Sequence, residues 1–235
     1  MPREKVILFD TTLRDGQQTQ GVDFSVQDKV NIANALDNIG IDYIEGGWPG
    51  ANPTDTKFFE NKNNFSNAKF TAFGMTKRSG RSADNDPQLR SLIDAHSDSV
   101  CLVAKTWDFH VDLALGISLE ENIEAIKDSV LSVKAGGKEP LIDCEHFFDG
   151  YKSNSEFSFK CIEAALESGA EWVVLCDTNG GTLPNEIFNI VEEITKKFPG
   201  DKIGIHCHND TENAVANSLA ALAVSYTHLT LPTKA

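Results

Sequence analysis

Positive charge is scarce in this chain: 21 Lys and Arg stand against 35 Asp and Glu, a formal net charge of −14 over 235 residues. No basic run offsets that excess, which argues against a nucleic-acid partner, because phosphate backbones are held by clustered cations. An anionic small substrate stays open, since it needs only a local cation, a metal or a helix N-terminus. Long apolar runs are missing too. Nothing approaches the ~20 residues of a membrane-spanning helix, and no membrane association is expected. The start, "MPREKVILFD", is charged and passes directly into a strand-like run, unlike a secretory leader. The five cysteines include no CxxC pair and sit mainly in apolar runs such as "SVCLVAK" and "WVVLCDT". Such usage fits small buried residues in a reducing cytoplasm rather than a disulfide framework. "FDTTLRDGQQ", after the first apolar run, has a single Gly and so lacks the dinucleotide-binding fingerprint. No low-complexity segment or linker marks a domain boundary.

What is present is a rhythm. Short apolar runs, "VILFD", "YIEGGWP", "KFTAFGM", "SVCLVAK", "PLIDCE", "WVVLCDT" and "KIGIHCH", read as strands buried on both faces. Helical patterns lie between them. Ser25 caps a helix whose Val26, Val30, Ala33 and Leu36 share a face and whose stop is Gly40. Ser118 with Glu121 makes a capping-box signature, and Pro184 opens a helix that closes at Pro199 and Gly200. Strand starts recur about every 30 residues, the length of a βα unit. Seven such units predict either a doubly wound sheet or an eight-stranded barrel one unit short. The polar residues decide between them. Asp15, Glu45, Lys105, Glu145, Asp177 and the His206/His208 pair all fall at or just after C-terminal strand ends, which a barrel gathers around one mouth. The expected fold is therefore α/β, a (β/α)8 TIM barrel truncated after about seven βα units.

In "KIGIHCHND", His206 and His208 alternate along an extended strand and share a face, with Cys207 turned away. Two readings fit these residues alone: half of a metal site, or two solvent-facing histidines before a loop. In a barrel, strands 1 and 7 are separated by a single position. Asp15 could then join the two histidines as a His₂–carboxylate set with open coordination positions. Imidazole and carboxylate ligands admit Zn, Mn, Fe, Co or Mg. Arg14 would hold the oxygen of a carbonyl that becomes an alkoxide, although an Arg beside an Asp also reads as a loop ion pair. Glu145 is a carboxylate placed to orient a substrate or exchange protons, and Thr178 with its two neighbouring glycines suits a carboxylate. His110 and His146 read as structural hydrogen bonders, Trp48, Trp107 and Trp172 as packing, the acidic helix faces as solvated surface, and Asp177 equally as ligand or turn residue.

"DTTLRDGQQ", "HCHND" and "CDTNGGTLP", in that order along nearly the whole chain, resemble the acyl-CoA-dependent metal enzymes of the isopropylmalate synthase and 3-hydroxy-3-methylglutaryl-CoA lyase superfamily. "DYIEGGWPGANPTD", "AKTWDFHV" and "EHFFDGYKSN" narrow the resemblance to the (R)-citramalate synthase branch. The resemblance implies Asp15, His206 and His208 as ligands of a divalent metal (Mn, Mg, Zn or Co) and Arg14 as activator of the oxo group. It places Glu145 in the substrate pocket and Thr178 on the oxo-acid carboxylate. It further implies a Claisen-type condensation of acetyl-CoA with pyruvate to citramalate, serving isoleucine and leucine biosynthesis in a cytoplasmic homodimer. Alternatives are a 2-isopropylmalate or homocitrate synthase, a lyase running the reverse cleavage, and a non-catalytic metal-binding barrel.

One stretch departs from the pattern. After "NDTENAVANSLAALA" an eighth βα unit is expected, but the sequence reads "VSYTHLTLPTKA", which resembles a translated sequencing-library adapter. This reading assigns 1–223 to an incomplete catalytic barrel lacking its eighth unit and C-terminal domains, and 224–235 to a non-native tail. Strands 1 and 7 should then be open edges with the gap between the halves of the metal site, and the fragment unstable and inactive.

Overall fold

The structure, a computed structural model, describes residues 5–224 and the backbone of 227–230. Its strands are β1 (Leu8–Asp10), β2 (Tyr43–Gly47), β3 (Lys69–Met75), β4 (Ser99–Lys105), β5 (Glu139–Glu145), β6 (Trp172–Asp177), β7 (Ile203–Cys207) and β8 (Thr227–Thr230). They form a closed barrel in chain order, each parallel to its neighbours. The longer helices outside it are α1 (Val26–Asn38), α2 (Pro53–Glu60), α3 (Pro87–Asp94), α5 (Leu119–Ala135), α6 (Phe147–Ser168), α7 (Pro184–Lys197) and α8 (Ala214–Ala223). A single turn, α4 (Asp108–His110), continues as a π turn over Val111–Leu115. Asn154 leaves helical geometry inside α6 and divides it in two.

All seven apolar runs are strands. The eighth position differs from the expectation: Thr227–Thr230 pairs with β1 on one side and β7 on the other, so neither edge is open. A parallel ladder needs only extended backbone, which is why a stretch unlike the family pattern closes the ring. The rest of the tail, including the side chain of His228, lies outside the described residues.

Local chemistry explains where the helices begin. Ser25 and Asp28 form a reciprocal capping box at α1. Ser118 accepts the Glu121 N–H at 3.1 Å, but the Glu121 carboxylate accepts from Ser79 rather than turning back, so only half of that box exists. Pro184 occupies the first position of α7, which buries Ile187, Ile190, Val191 and Ile194. On α1 the buried positions are Lys29, Ala33 and Asp37, while Val26, Val30 and Leu36 are only partly covered.

Alternation along each strand divides the side chains between two cores. Ile44, Phe70, Leu102, Ile142, Leu175, Ile205 and Cys207 face the helices in the main core. Each fully buried aliphatic or aromatic side chain there contributes ~1.5–3 kcal/mol. Phe9, Tyr43, Phe73, Cys101 and Leu141 fill the barrel interior. Toward the C-terminal ends, those same interior rows turn polar: Glu45 follows Tyr43, Asp143 and Glu145 follow Leu141, and Lys105 follows Cys101 and Val103. A bulge interrupts β2. Its register against β3 shifts between Glu45 and Gly47, leaving Gly46 as the extra residue. Gly47 has φ +140°, and a Cβ there would meet the Asp55 carboxylate at 2.5–2.7 Å, so the bulge requires glycine.

Candidate active site

The ends of β1 through β7 surround a cavity of about 270 Å³. Every sequence-predicted site residue lines it: Arg14, Asp15, Glu145, Thr178, His206 and His208. Asp15 stands on the short 3₁₀ turn that begins at Gly16, anchored by N–H donation from Arg14 and Gly16 to the Thr11 carbonyl. One carboxylate oxygen of Asp15 lies 3.4 Å from His206 Nε2 and 3.5 Å from His208 Nε2. The imidazoles share a face as the alternation requires, with centroids 5.1 Å apart.

Burial pushes the Asp15 carboxyl up, but hydrogen bonds from His206 and His208 and the Arg14 charge outweigh it, holding Asp15 well below the usual carboxylate range. The hydrogen bond to Asp15 likewise raises His208. Arg14 donates through Nε to Glu45 at 2.6 Å, approaches Asp15 at 3.4 Å and stacks 3.8 Å above the Phe73 ring. Two immobile partners therefore fix the guanidinium. Burial pushes Glu45 up to about 8, with the Arg14 charge opposing, and its second oxygen has no partner among the described residues. Lys105 forms an ion pair with Glu145. Thr178 Oγ1 accepts the His146 N–H at 2.8 Å, which leaves its hydroxyl proton to donate elsewhere.

These donors fit a divalent metal. Asp15, His206 and His208 offer one carboxylate oxygen and two imidazole nitrogens within 4.8 Å of one another, beside an open cavity. Two further sets, Asp143/Cys176/His206 and Glu45/Cys101/Asp143, are wholly buried. Burial raises the Cys101 and Cys176 thiols far above their ordinary range.

Residues 5–230 match the HMGL-like family. This chain belongs to it. Among HMGL-like relatives, the (R)-citramalate synthase of Aquifex aeolicus (strain VF5) is 54% identical over 221 residues, covering 93% of this chain and 42% of that protein. The (R)-citramalate synthase of Geobacter sulfurreducens is 52% identical over 220 residues, with the same coverage. The chain thus spans about 42% of the length of these curated relatives. The solved Bacillus subtilis HMG-CoA lyase superposes with a TM-score of 0.83 at 20% identity, over 99% of this chain and 78% of that one. That likeness shows the barrel fold.

Sequence reasoning passed over several residues that the HMGL-like cavity uses. Asp143 lines it, two positions before Glu145 on the same inward row, a signal the alternation of β5 carried. Burial raises its carboxyl, with His206 and Arg14 opposing. Phe73 was not singled out, and Trp48, read as packing, lines the cavity edge-on to Phe73 at 5.7 Å. Asp177 serves its turn: it accepts from Thr182 Oγ1 at 2.8 Å and from the Thr182 N–H at 3.3 Å. His110 lies tilted against Trp107 and edge-on to His146, outside the group around Asp15.

Proposed function

We propose that this chain is the barrel of a longer enzyme that joins the methyl carbon of acetyl-CoA, after loss of a proton, to the keto carbon of pyruvate, water then hydrolysing the thioester to release citramalate and CoA. The observation that carries the reading is the meeting of Asp15, His206, His208 and Arg14 at one cavity in a chain 54% identical to an (R)-citramalate synthase. Asp15, His206 and His208 would hold a divalent ion, Mn, Mg, Zn or Co. When bound, that ion supplies Lewis acidity toward the oxo acid. Arg14, already fixed by Glu45 and Phe73, directs its remaining N–H donors at the oxygen that becomes negative as the new carbon–carbon bond forms. Its cost of reorganisation is low because nothing about it has to move. Thr178 donates its hydroxyl proton to the pyruvate carboxylate. Glu145, steadied by Lys105, faces the same cavity and exchanges protons with the reacting groups. In this reading the enzyme is cytoplasmic, acts as a homodimer and serves isoleucine and leucine biosynthesis.

The test is CoA release by the full-length protein, followed with a thiol reagent, in the presence of Mn²⁺ and either pyruvate, 2-oxoisovalerate or 2-oxoglutarate. Release with pyruvate, abolished by Asp15→Ala, is expected. Preference for a larger oxo acid moves the protein to a sister activity, and no release with any of them overturns the condensation. By the same proposal, residues from 224 onward are not native. Genomic sequence that continues uninterrupted into "VSYTHLTLPTKA" would refute that assignment.

A further inference from the structure

Lys29 on α1 has no exposed surface. Its ammonium donates to the Leu13 carbonyl at 2.8 Å, the Gly46 carbonyl at 3.0 Å and the Asp55 carboxylate. All three donor protons are thereby used. Leu13 directly precedes Arg14 and Asp15, and Gly46 directly follows Glu45 as the extra residue of the β2 bulge. Asp55 in turn accepts from the Trp48 N–H and the Asn52 side chain, each at 2.8 Å, and its carboxylate occupies the space beside Gly47. Lys29 itself does not line the cavity. A buried ion pair is poor value for stability alone, since apolar side chains of similar volume often serve as well or better.

We propose that Lys29, held by Asp55, is a positioning residue: it pins the main chain at Leu13 and Gly46, and so sets Arg14 and Asp15 against Glu45 and fixes how Asp15 meets His206 and His208. The inference rests on reading those three residues as a metal site. Gripping carbonyls, not side chains, lets Lys29 act on the ligand loop without competing for the ligands. Its position behind the strands keeps it clear of substrate.

Mn²⁺ titration of the 235-residue chain, with free ion counted by electron paramagnetic resonance, and urea unfolding of the same samples test the proposal. Lys29→Met is expected to weaken Mn²⁺ binding about 10-fold or more, the scale of losses when groups orienting a ligand are removed. The double variant Lys29→Met/Asp55→Leu carries no unpaired buried charge and should regain stability without regaining affinity. Recovery of both together would show that Lys29 only balances Asp55, and overturns the proposal. Unchanged affinity in folded Lys29→Met does the same. Asp55→Asn keeps the shape while loosening the grip on Lys29, so it carries the test should Lys29→Met not fold: a smaller loss is expected, and no loss overturns. Absence of Mn²⁺ binding in the unmodified chain would remove the metal reading and this inference with it, an outcome its own arm of the titration identifies.

Discussion

The two ends of the barrel interior both carry polar networks, built in opposite ways. At the floor, the Tyr43 hydroxyl donates to Glu139 and accepts from Lys69 at 3.3 Å and Trp172 at 3.2 Å. Lys69 and Glu139 pair with each other where water reaches both. Beneath them, the Phe9 and Tyr43 rings stack at 5.7 Å. The hydroxyl finds partners on three strands, and the charges stay partly hydrated. At the mouth, Arg14 is set among Glu45, Asp15 and Asp143, one Glu45 oxygen lacks a partner among the described residues, and burial raises both Glu45 and Asp143. A barrel shaped for stability alone would not gather three carboxylates around one cation. The floor holds the fold together; the mouth spends some of that stability on chemistry.

Removing a mouth carboxylate should produce the largest effect. Asp15→Ala is expected to lower Mn²⁺ affinity by about 100-fold or more, beyond the losses seen for groups that merely orient ligands. It should also lower the melting temperature of the ion-free chain, because the hydrogen bonds and the Arg14 charge that hold the Asp15 carboxyl down are lost with it. Affinity equal to the unmodified chain would erase the contrast. Next, Arg14→Ala removes the donor to Glu45. That carboxyl, pushed up to about 8 even beside Arg14, takes a proton and does not stay an unpaired buried charge. The loss in urea unfolding should be about 1.5–3 kcal/mol. Adding Glu45→Leu should return most of that loss. In the full-length protein, Arg14→Ala should also lower turnover ~10²–10³-fold, as for a donor to developing negative charge.

At the floor, Tyr43→Phe should cost only ~1 kcal/mol, the scale of a hydrogen-bonded hydroxyl, with no change in Mn²⁺ affinity; a change there would join the two ends. The last effect is one of pH. Burial first, and then the hydrogen bond to Glu139, push the Tyr43 hydroxyl up to about 12, against ~10 in an unfolded chain. The folded chain keeps a proton that the unfolded chain gives up between those values. The resulting stabilisation is complete below about pH 10 and is lost as pH rises toward 12. Urea midpoints at pH 9 and 11 should show this slope, and Tyr43→Phe should flatten it.

The same contrast separates what could be read from sequence and what could not. Strands were legible because both faces are apolar, and β3 and β4 begin and end where their runs do. Asp15, His206 and His208 were legible because a two-residue period and a seven-strand count carry them to one place. Helices α2 and α3 were not anticipated, although "NPTD" and "DPQL" supply an Asn or Asp cap followed by Pro. Those prolines read equally well as turns. Lys29 escaped because a lysine on an amphipathic helix is normally assigned to water, and only three-dimensional packing brings two carbonyls and Asp55 to it. Asp143 was hidden in "LIDCE", where three of its four neighbours suit a core strand.

β8 lies between the strand that leads to Asp15 and the strand that carries His206. The four-residue strand is therefore a seam, and the candidate ligands sit on its two banks. An ion gripped from both banks acts as a clasp. Opening the seam would first require releasing it, so local unfolding there becomes rarer by the factor by which ligand favours the closed state. Backbone amides of β1 and β7 that exchange with solvent through this opening should slow in proportion to metal concentration, while amides of β3 and β4 on the far side of the ring keep their rates. Metal binding and ring closure would then be two readings of a single equilibrium.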